Sequence, residues 1–152
     1  MNIILVLHDL ARWLIVVFAL WTIVSAISGM TKKSVYTKST NISSLLFMIF
    51  MDIQVVFGML LYFNNGWFDK LKHLGIYMKD TNQRFFVLEH WLLMLIAWTL
   101  VHAGRTAAKK AATDQMKYKK TLIYFGIAFL LILIAIPWPF REALARPWFR
   151  WF

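Results

Sequence analysis

The run LIYFGIAFLLILIAI, residues 122–136, contains no charged side chain and ends at Pro137-Trp138-Pro139. A bilayer core requires about 20 predominantly apolar residues, and only a helix or a closed barrel satisfies the backbone there. The run lacks the alternation with a period of two that a barrel strand would need. It therefore predicts a transmembrane helix over 122–138, ended by the two prolines.

Three further apolar stretches predict helices over residues 3–29, 42–63 and 85–104. The first begins with His8, Asp9 and Arg12 instead of a basic leader, so we interpret it as a retained helix and not as a signal peptide. The chain is 61% apolar, against about 45–50% for soluble proteins. We predict an all-α integral membrane protein with one domain, residues 1–152, folded as a four-transmembrane-helix up-down bundle.

The basic residues lie between the apolar spans, although the net charge is +10. That placement favours contact with anionic lipid over binding of nucleic acid. The loop after residue 104 is densely basic and no basic residue precedes the first span, which favours loops one and three in the cytoplasm and both termini outside. The absence of cysteine excludes disulfides, thiolate metal sites and covalent c-type haem.

Ionisable side chains inside apolar spans are costly and therefore mark candidate functional sites. At about 1.5 Å per residue, His8 on the first span and His90 on the third fall in one layer near the same face of the bilayer. Two histidines on facing helices are the ligand pair that a haem b iron would need. The alternative is that each is an interfacial histidine without a ligand.

Arg12 lies one turn from His8 and shares its face of the helix. We expect it to pair with a haem propionate, a quinone oxygen or Glu89, which precedes His90. An ion pair between Arg12 and Glu89 could equally be structural. These four residues form the predicted cofactor site, with His8 and His90 as the metal ligands.

Asp52 lies near the middle of the second span, where it either handles protons or makes a neutral hydrogen bond between helices. His102, near the end of the third span, lies about 10 Å from it in depth. A direct contact between Asp52 and His102 is therefore not expected, and a link between them would need a water-mediated relay. Gln54 is predicted to face away from Asp52.

The segment His8-Asp9-Leu10-Ala11-Arg12-Trp13 resembles the H-x-x-x-R-W opening of small bacterial four-helix membrane proteins labelled cytochrome b. Further similar segments are Met78-Lys79-Asp80, residues 84–90, Gly104-Arg105 and Ile136-Pro137-Trp138-Pro139. The resemblance implies haem on His8 and His90 and electron transfer at the outer face of the bacterial inner membrane, either between quinol and a periplasmic partner or as a subunit of a respiratory complex. At position 52 such proteins would be expected to carry histidine, and this chain carries aspartate.

Two other functions fit the same sequence. One is a haem-free accessory or scaffold subunit, which would meet other membrane subunits or further copies of this chain. The other, less favoured, is proton-coupled transport through Asp52, although the repeats and broken helices of many transporters are not seen. No nucleophile elbow or phosphate loop is present, and whether the chain is an enzyme stays open.

Overall fold

The computed structural model describes residues 3–149, in which all regular secondary structure is helical. In chain order the helices are Ile3–Thr31 (α1), Lys38–Asn64 (α2), Trp67–Leu71 (α3), Leu74–Tyr77 (α4), Thr81–Arg84 (α5), His90–Lys109 (α6) and Asp114–Ala135 (α7). A π-helical segment, Phe85–Glu89, joins α5 to α6, so that Thr81–Lys109 forms one continuous span. This span and α1, α2 and α7 are long and apolar enough to cross a membrane. The predicted all-helical class is confirmed.

Except at the end of α7, the helix boundaries reach or extend beyond the apolar runs that predicted them. α7 begins at Asp114 and not at 122, because the Thr113 side chain accepts a hydrogen bond from the N–H of Met116 at 3.2 Å and caps the helix. α7 also ends at Ala135, three residues before the predicted 138. Hydropathy locates the part of a helix that suits lipid, whereas caps and prolines decide where the backbone stops being helical.

The four long helices close into a bundle. α1 packs against α2 and α7, and α6 packs against the same two helices, with sequence neighbours antiparallel. Fully buried Phe47 and Phe125 pack against each other in the core, with ring centroids 5.5 Å apart and ring planes inclined by 59°. Ala19, Ala97 and Ala128 are also fully buried and allow the backbones to approach closely.

The outer surface of the long helices is apolar. Val24 of α1, Val56 of α2 and Leu130 of α7 expose 63%, 58% and 61% of their surface. In water such continuous apolar surface would favour association or aggregation. Hydrocarbon would solvate it without cost, so the surface matches what a lipid-facing bundle requires.

The two ends of the bundle differ in chemistry. One end of the bundle is where α1 and α5 begin, and it also carries loop two (residues 65–80) and the tail (residues 136–149). We name it the histidine end. The lysine end is the opposite one, with loop one (residues 32–37) and loop three (residues 110–113). The tail folds back on the histidine end, where Leu144 is buried and Asn82 Nδ2 donates to the Ala143 carbonyl at 3.0 Å.

Candidate functional site

The two histidines predicted as cofactor ligands face each other at the histidine end. His8 lies in the second turn of α1 and His90 is the first residue of α6. Their ring centroids are 6.3 Å apart and the ring planes are inclined by 65°. Two imidazoles on opposite sides of one metal ion would have ring centroids about 6 Å apart. Each ligating nitrogen lies ~2.0–2.1 Å from the metal, and each ring centre lies beyond its nitrogen on the same line. The spacing suits a shared ligand.

The carbonyl of Ala135 fixes the protonation of His90. In a continuing helix this carbonyl would accept from the N–H four residues later, but that residue is Pro139, which has no N–H. His90 Nδ1 lies 2.8 Å from the Ala135 oxygen. Because a carbonyl can only accept, Nδ1 carries the proton and Nε2 keeps a lone pair. A neutral imidazole held in this way is the form that metal ligands take.

The π-helical segment sets the direction in which His90 enters the bundle. Single π-helical turns inside α-helices occur frequently at functional sites. The Val87 carbonyl within it accepts from the Tyr62 hydroxyl and from the Trp91 indole N–H, both at 2.7 Å. Tyr62 belongs to α2, so the bond ties the segment to the neighbouring helix and fixes the position of the residues that follow.

α2 supplies the contacts to His8. The Gln54 side-chain Nε2 lies 3.3 Å from His8 Nε2, and Gly58 lies beside the same ring, where a Cβ would be in ordinary van der Waals contact at 3.5 Å from His8 Cε1. His8 Nδ1 is buried without a hydrogen-bond partner in residues 3–149. Buried polar atoms are nearly always bonded. For Nδ1 to bind a ligand, the Gln54 amide must present Oε1, which also has no partner within residues 3–149, to a protonated His8 Nε2.

Arg12 forms a buried ion pair with Asp9 beside His8. Its Nη2 lies 2.8 Å from Asp9 Oδ1, and the two residues are only 9% and 6% exposed. The same Nη2 donates to the Trp148 carbonyl at 2.7 Å and so connects the tail to α1. Asp9 balances the charge of the guanidinium, which offsets the cost of removing the arginine from water.

The predicted alternative of an ion pair between Arg12 and Glu89 is wrong. Glu89 Oε1 instead accepts from Arg84 Nε at 2.6 Å. The two residues are five apart across the π-helical segment, and a π-helical turn brings residues with that spacing above one another. Glu89 therefore strengthens the entry to the third span, and the ion-pair partner of Arg12 is Asp9.

Asp52 bonds directly to two side chains of α6. Its Oδ1 accepts from Trp98 Nε1 at 2.7 Å and from His102 Nε2 at 2.8 Å. The prediction that Asp52 and His102 lie too far apart for a direct contact is wrong. It compared Cα depths, whereas Cβ bonds tilt towards the N terminus of their own helix. Because α2 and α6 are antiparallel, the two side chains lean towards each other.

The Asp52 cluster lies on the outside of the bundle, apart from the histidine pair. The side chains of Asp52 and His102 are 44% and 37% exposed. Gln54 faces away from Asp52, as predicted, and it is buried and points to His8. Sequence reasoning missed Gln54 as a site residue, although a lone amide in an apolar span was a usable signal. It also missed Ala135, which the proline four residues later could have indicated.

Comparisons with models of known protein families, with curated proteins and with solved structures gave no match for this chain. Within residues 3–149 no group of three or more histidine, aspartate or glutamate side chains could hold a metal ion. The donor set that this site presents is the pair His8 and His90. Function has to be inferred from the geometry of that pair.

Proposed function

We propose that this chain is a small membrane-bound b-type cytochrome, of the kind that its sequence resembles, with His8 and His90 as ligands of the haem iron. The observation that carries the proposal is the 6.3 Å spacing of the two rings. The proton on His90 Nδ1 and the unpartnered His8 Nδ1 support it further. Haem bound there would supply a one-electron redox centre.

The residues around the pair prepare it for this role. The Ala135 carbonyl holds His90 in the neutral tautomer and makes Nε2 a better donor to a metal. Gln54 orients His8 from α2. Arg12, fixed by Asp9 and by the Trp148 carbonyl, is the cation placed beside His8 for a haem propionate or a quinone oxygen.

The proposal also assigns the chain to a membrane and gives its helices an orientation across the bilayer. Four apolar helices with exposed aliphatic side chains fit a multi-pass protein of the bacterial inner membrane. The basic residues in and beside loops one and three favour the lysine end in the cytoplasm and both termini in the periplasm. The histidine end would then exchange electrons between quinol and a periplasmic partner.

The test is a visible spectrum of the protein purified from cells supplied with haem, first oxidised and then reduced with dithionite. We expect a Soret band that shifts on reduction, with sharp α and β bands. His8→Ala and His90→Ala should each abolish this spectrum. His102→Ala is the matched control and should keep it, because His102 belongs to the separate Asp52 cluster. A colourless protein, or a spectrum unchanged in both ligand variants, would refute the proposal.

A second candidate function is that of a haem-free accessory subunit in a larger membrane assembly. Asp52 and His102 favour it, because both are more than one third exposed at the depth of the apolar spans. A charged side chain in hydrocarbon costs about 2.5–3.5 kcal/mol on insertion scales. A neighbouring subunit would shield the pair. A photo-cross-linking residue at Ile53 should then give a specific adduct in native membranes, and a residue at Val24, on another face, should not.

A further inference from the structure

A cavity of about 210 Å³ opens at the lysine end, on the opposite side of the molecule from the histidine pair. It lies between the beginning of α2, the end of α6 and the beginning of α7. Three basic side chains line it: Arg105, Lys109 and Lys117. Pockets for drug-sized ligands are usually about 300–1,000 Å³, so this one suits a small charged group.

Arg105 is a buried cation without an acidic partner. It is 8% exposed, and its Nη1 donates to the Asn41 carbonyl at 3.0 Å and to Ser44 Oγ at 2.8 Å. Both acceptors are neutral. In the part of the chain that the structure describes, no carboxylate lies within ion-pair distance of Arg105 or Lys109. A buried charge without a counter-charge is costly, and an anion in the cavity would remove that cost.

The balance of charge in the cavity stays positive. Lys117 Nζ lies 3.0 Å from Asp114 Oδ1, so one of the three cations is already neutralised. Arg105 and Lys109 remain. The ligand that suits the cavity is therefore an anion with more than one negatively polarised oxygen. Such an anion can bind the guanidinium of Arg105 and the ammonium of Lys109 at the same time.

Hydroxyl groups complete the lining. The Tyr36 hydroxyl and Thr121 Oγ1 are 3.0 Å apart, and both residues line the cavity. A hydrogen bond between two hydroxyls uses only one of their protons, so the other can be donated to a ligand. A planar guanidinium and an ammonium beside hydroxyl donors are a typical arrangement for binding a phosphate group.

We propose that this cavity binds a phosphate group, supplied by an anionic lipid headgroup or by free phosphate. Basic pockets between membrane helices are known positions for lipid phosphates. Lys109 lies exposed at the rim, where it meets an incoming anion first, and Arg105 lies at the buried end. The bound anion would tie α2, α6 and α7 together at the lysine end. This site is independent of the histidine pair and of haem.

The experiment measures the thermal unfolding midpoint of the full chain in a maltoside detergent at constant ionic strength. The probes are dihexanoyl phosphatidylglycerol, inorganic phosphate and, as the zwitterionic control, dihexanoyl phosphatidylcholine. We expect a saturable rise of the midpoint with phosphatidylglycerol and none with phosphatidylcholine. A rise with inorganic phosphate as well would identify the phosphate alone as sufficient, whereas a rise with the lipid only would identify a headgroup.

Matched double variants locate the site. Lys109→Gln with Lys117→Gln should weaken binding by about tenfold or more, because the charge-assisted hydrogen bond from Lys109 is lost and Asp114, left without Lys117, repels the anion. Lys119→Gln with Lys120→Gln removes the same charge outside the cavity and should change binding less than twofold. Arg105 is left intact, since it also holds the backbone of α2. Absence of saturable binding to either phosphate probe, or an equal loss in both double variants, would overturn the proposal.

Discussion

Gly29 is required because Tyr118 occupies the space that any larger side chain would need. A Cβ at position 29 would lie 2.1 Å from Tyr118 Cζ. The hydroxyl of this fully buried tyrosine donates to the Val35 carbonyl at 2.8 Å and accepts from the Thr37 N–H at 3.1 Å, so the ring cannot move aside freely. We expect Gly29→Ala to destabilise the protein by about 1–3 kcal/mol through overpacking, as measured by denaturant unfolding in detergent.

The matched control is Gly126→Ala on α7. Apart from the backbone of its own helix and the adjacent residues, no atom lies within 4 Å of the Cβ that would be added there. Alanine is preferred over glycine inside a helix by about 0.8–1.0 kcal/mol, so this variant should be as stable as the parent or slightly more stable. If Gly29→Ala behaves like Gly126→Ala, the contact of Tyr118 with α1 is not as described.

Asp52 joins α2 to α6 through hydrogen bonds that need an acceptor oxygen. Asp52→Ala leaves Trp98 Nε1 and His102 Nε2 without their acceptor, which should cost about 1–3 kcal/mol where water cannot replace it. Asp52→Asn keeps a carbonyl oxygen and should cost less. Thermal unfolding of the two variants in detergent decides the matter. If the two variants were equally destabilised, the negative charge of Asp52, and not its hydrogen bonds to Trp98 and His102, would stabilise the packing of α2 on α6.

The end of α7 shows how two prolines organise a whole element. Pro137 and Pro139 remove the N–H groups that would bond to the carbonyls of Leu133 and Ala135. Side chains replace them: Trp138 Nε1 donates to Leu133 at 2.8 Å, and His90 Nδ1 donates to Ala135 at 2.8 Å. The Ala135 carbonyl at the end of α7 thus receives its hydrogen bond from the same contact that fixes the tautomer of His90.

Restoring those N–H groups should uncouple His90 from α7. In Pro137→Ala with Pro139→Ala, the helix can continue by about one turn, ~3.6 residues, and the Ala135 carbonyl gains a backbone donor. We expect the His90 imidazole nitrogens to change their ¹⁵N chemical shifts, while Pro147→Ala, in the tail, leaves them unchanged. Unaltered His90 shifts in the double variant would show that Ala135 does not fix the tautomer.

For the molecule as a whole, sequence predicted what depends on chain length and hydropathy. The apolar runs located four helices, and the rise per residue placed His8 and His90 at one level. Sequence could not provide helix rotation or side-chain direction, which depend on packing. Gln54 was therefore missed, Arg12 was given the wrong alternative partner, and Asp52 and His102 were separated although they touch.

The arrangement of the bundle across a membrane makes one prediction that involves every helix. The chain has no cysteine, so single substitutions give unique labelling sites, and neutral positions leave the charge of each loop intact. Val35→Cys and Ala112→Cys mark loops one and three, and Ile76→Cys and Ala145→Cys mark loop two and the tail. All four positions are exposed, with Val35 and Ile76 each 73% exposed.

In an antiparallel bundle, the cysteines of loops one and three should react with the maleimide under the same conditions as each other. The cysteines of loop two and of the tail should likewise behave alike. Since the dense basic residues between 105 and 120 favour the lysine end in the cytoplasm, a membrane-impermeant maleimide on intact spheroplasts should label Ile76→Cys and Ala145→Cys without permeabilisation. Val35→Cys and Ala112→Cys should react only after permeabilisation. The reverse grouping would place the histidine end, and any electron partner, in the cytoplasm. Labelling of Val35→Cys together with Ile76→Cys would contradict the bundle itself, because α2 would then fail to cross.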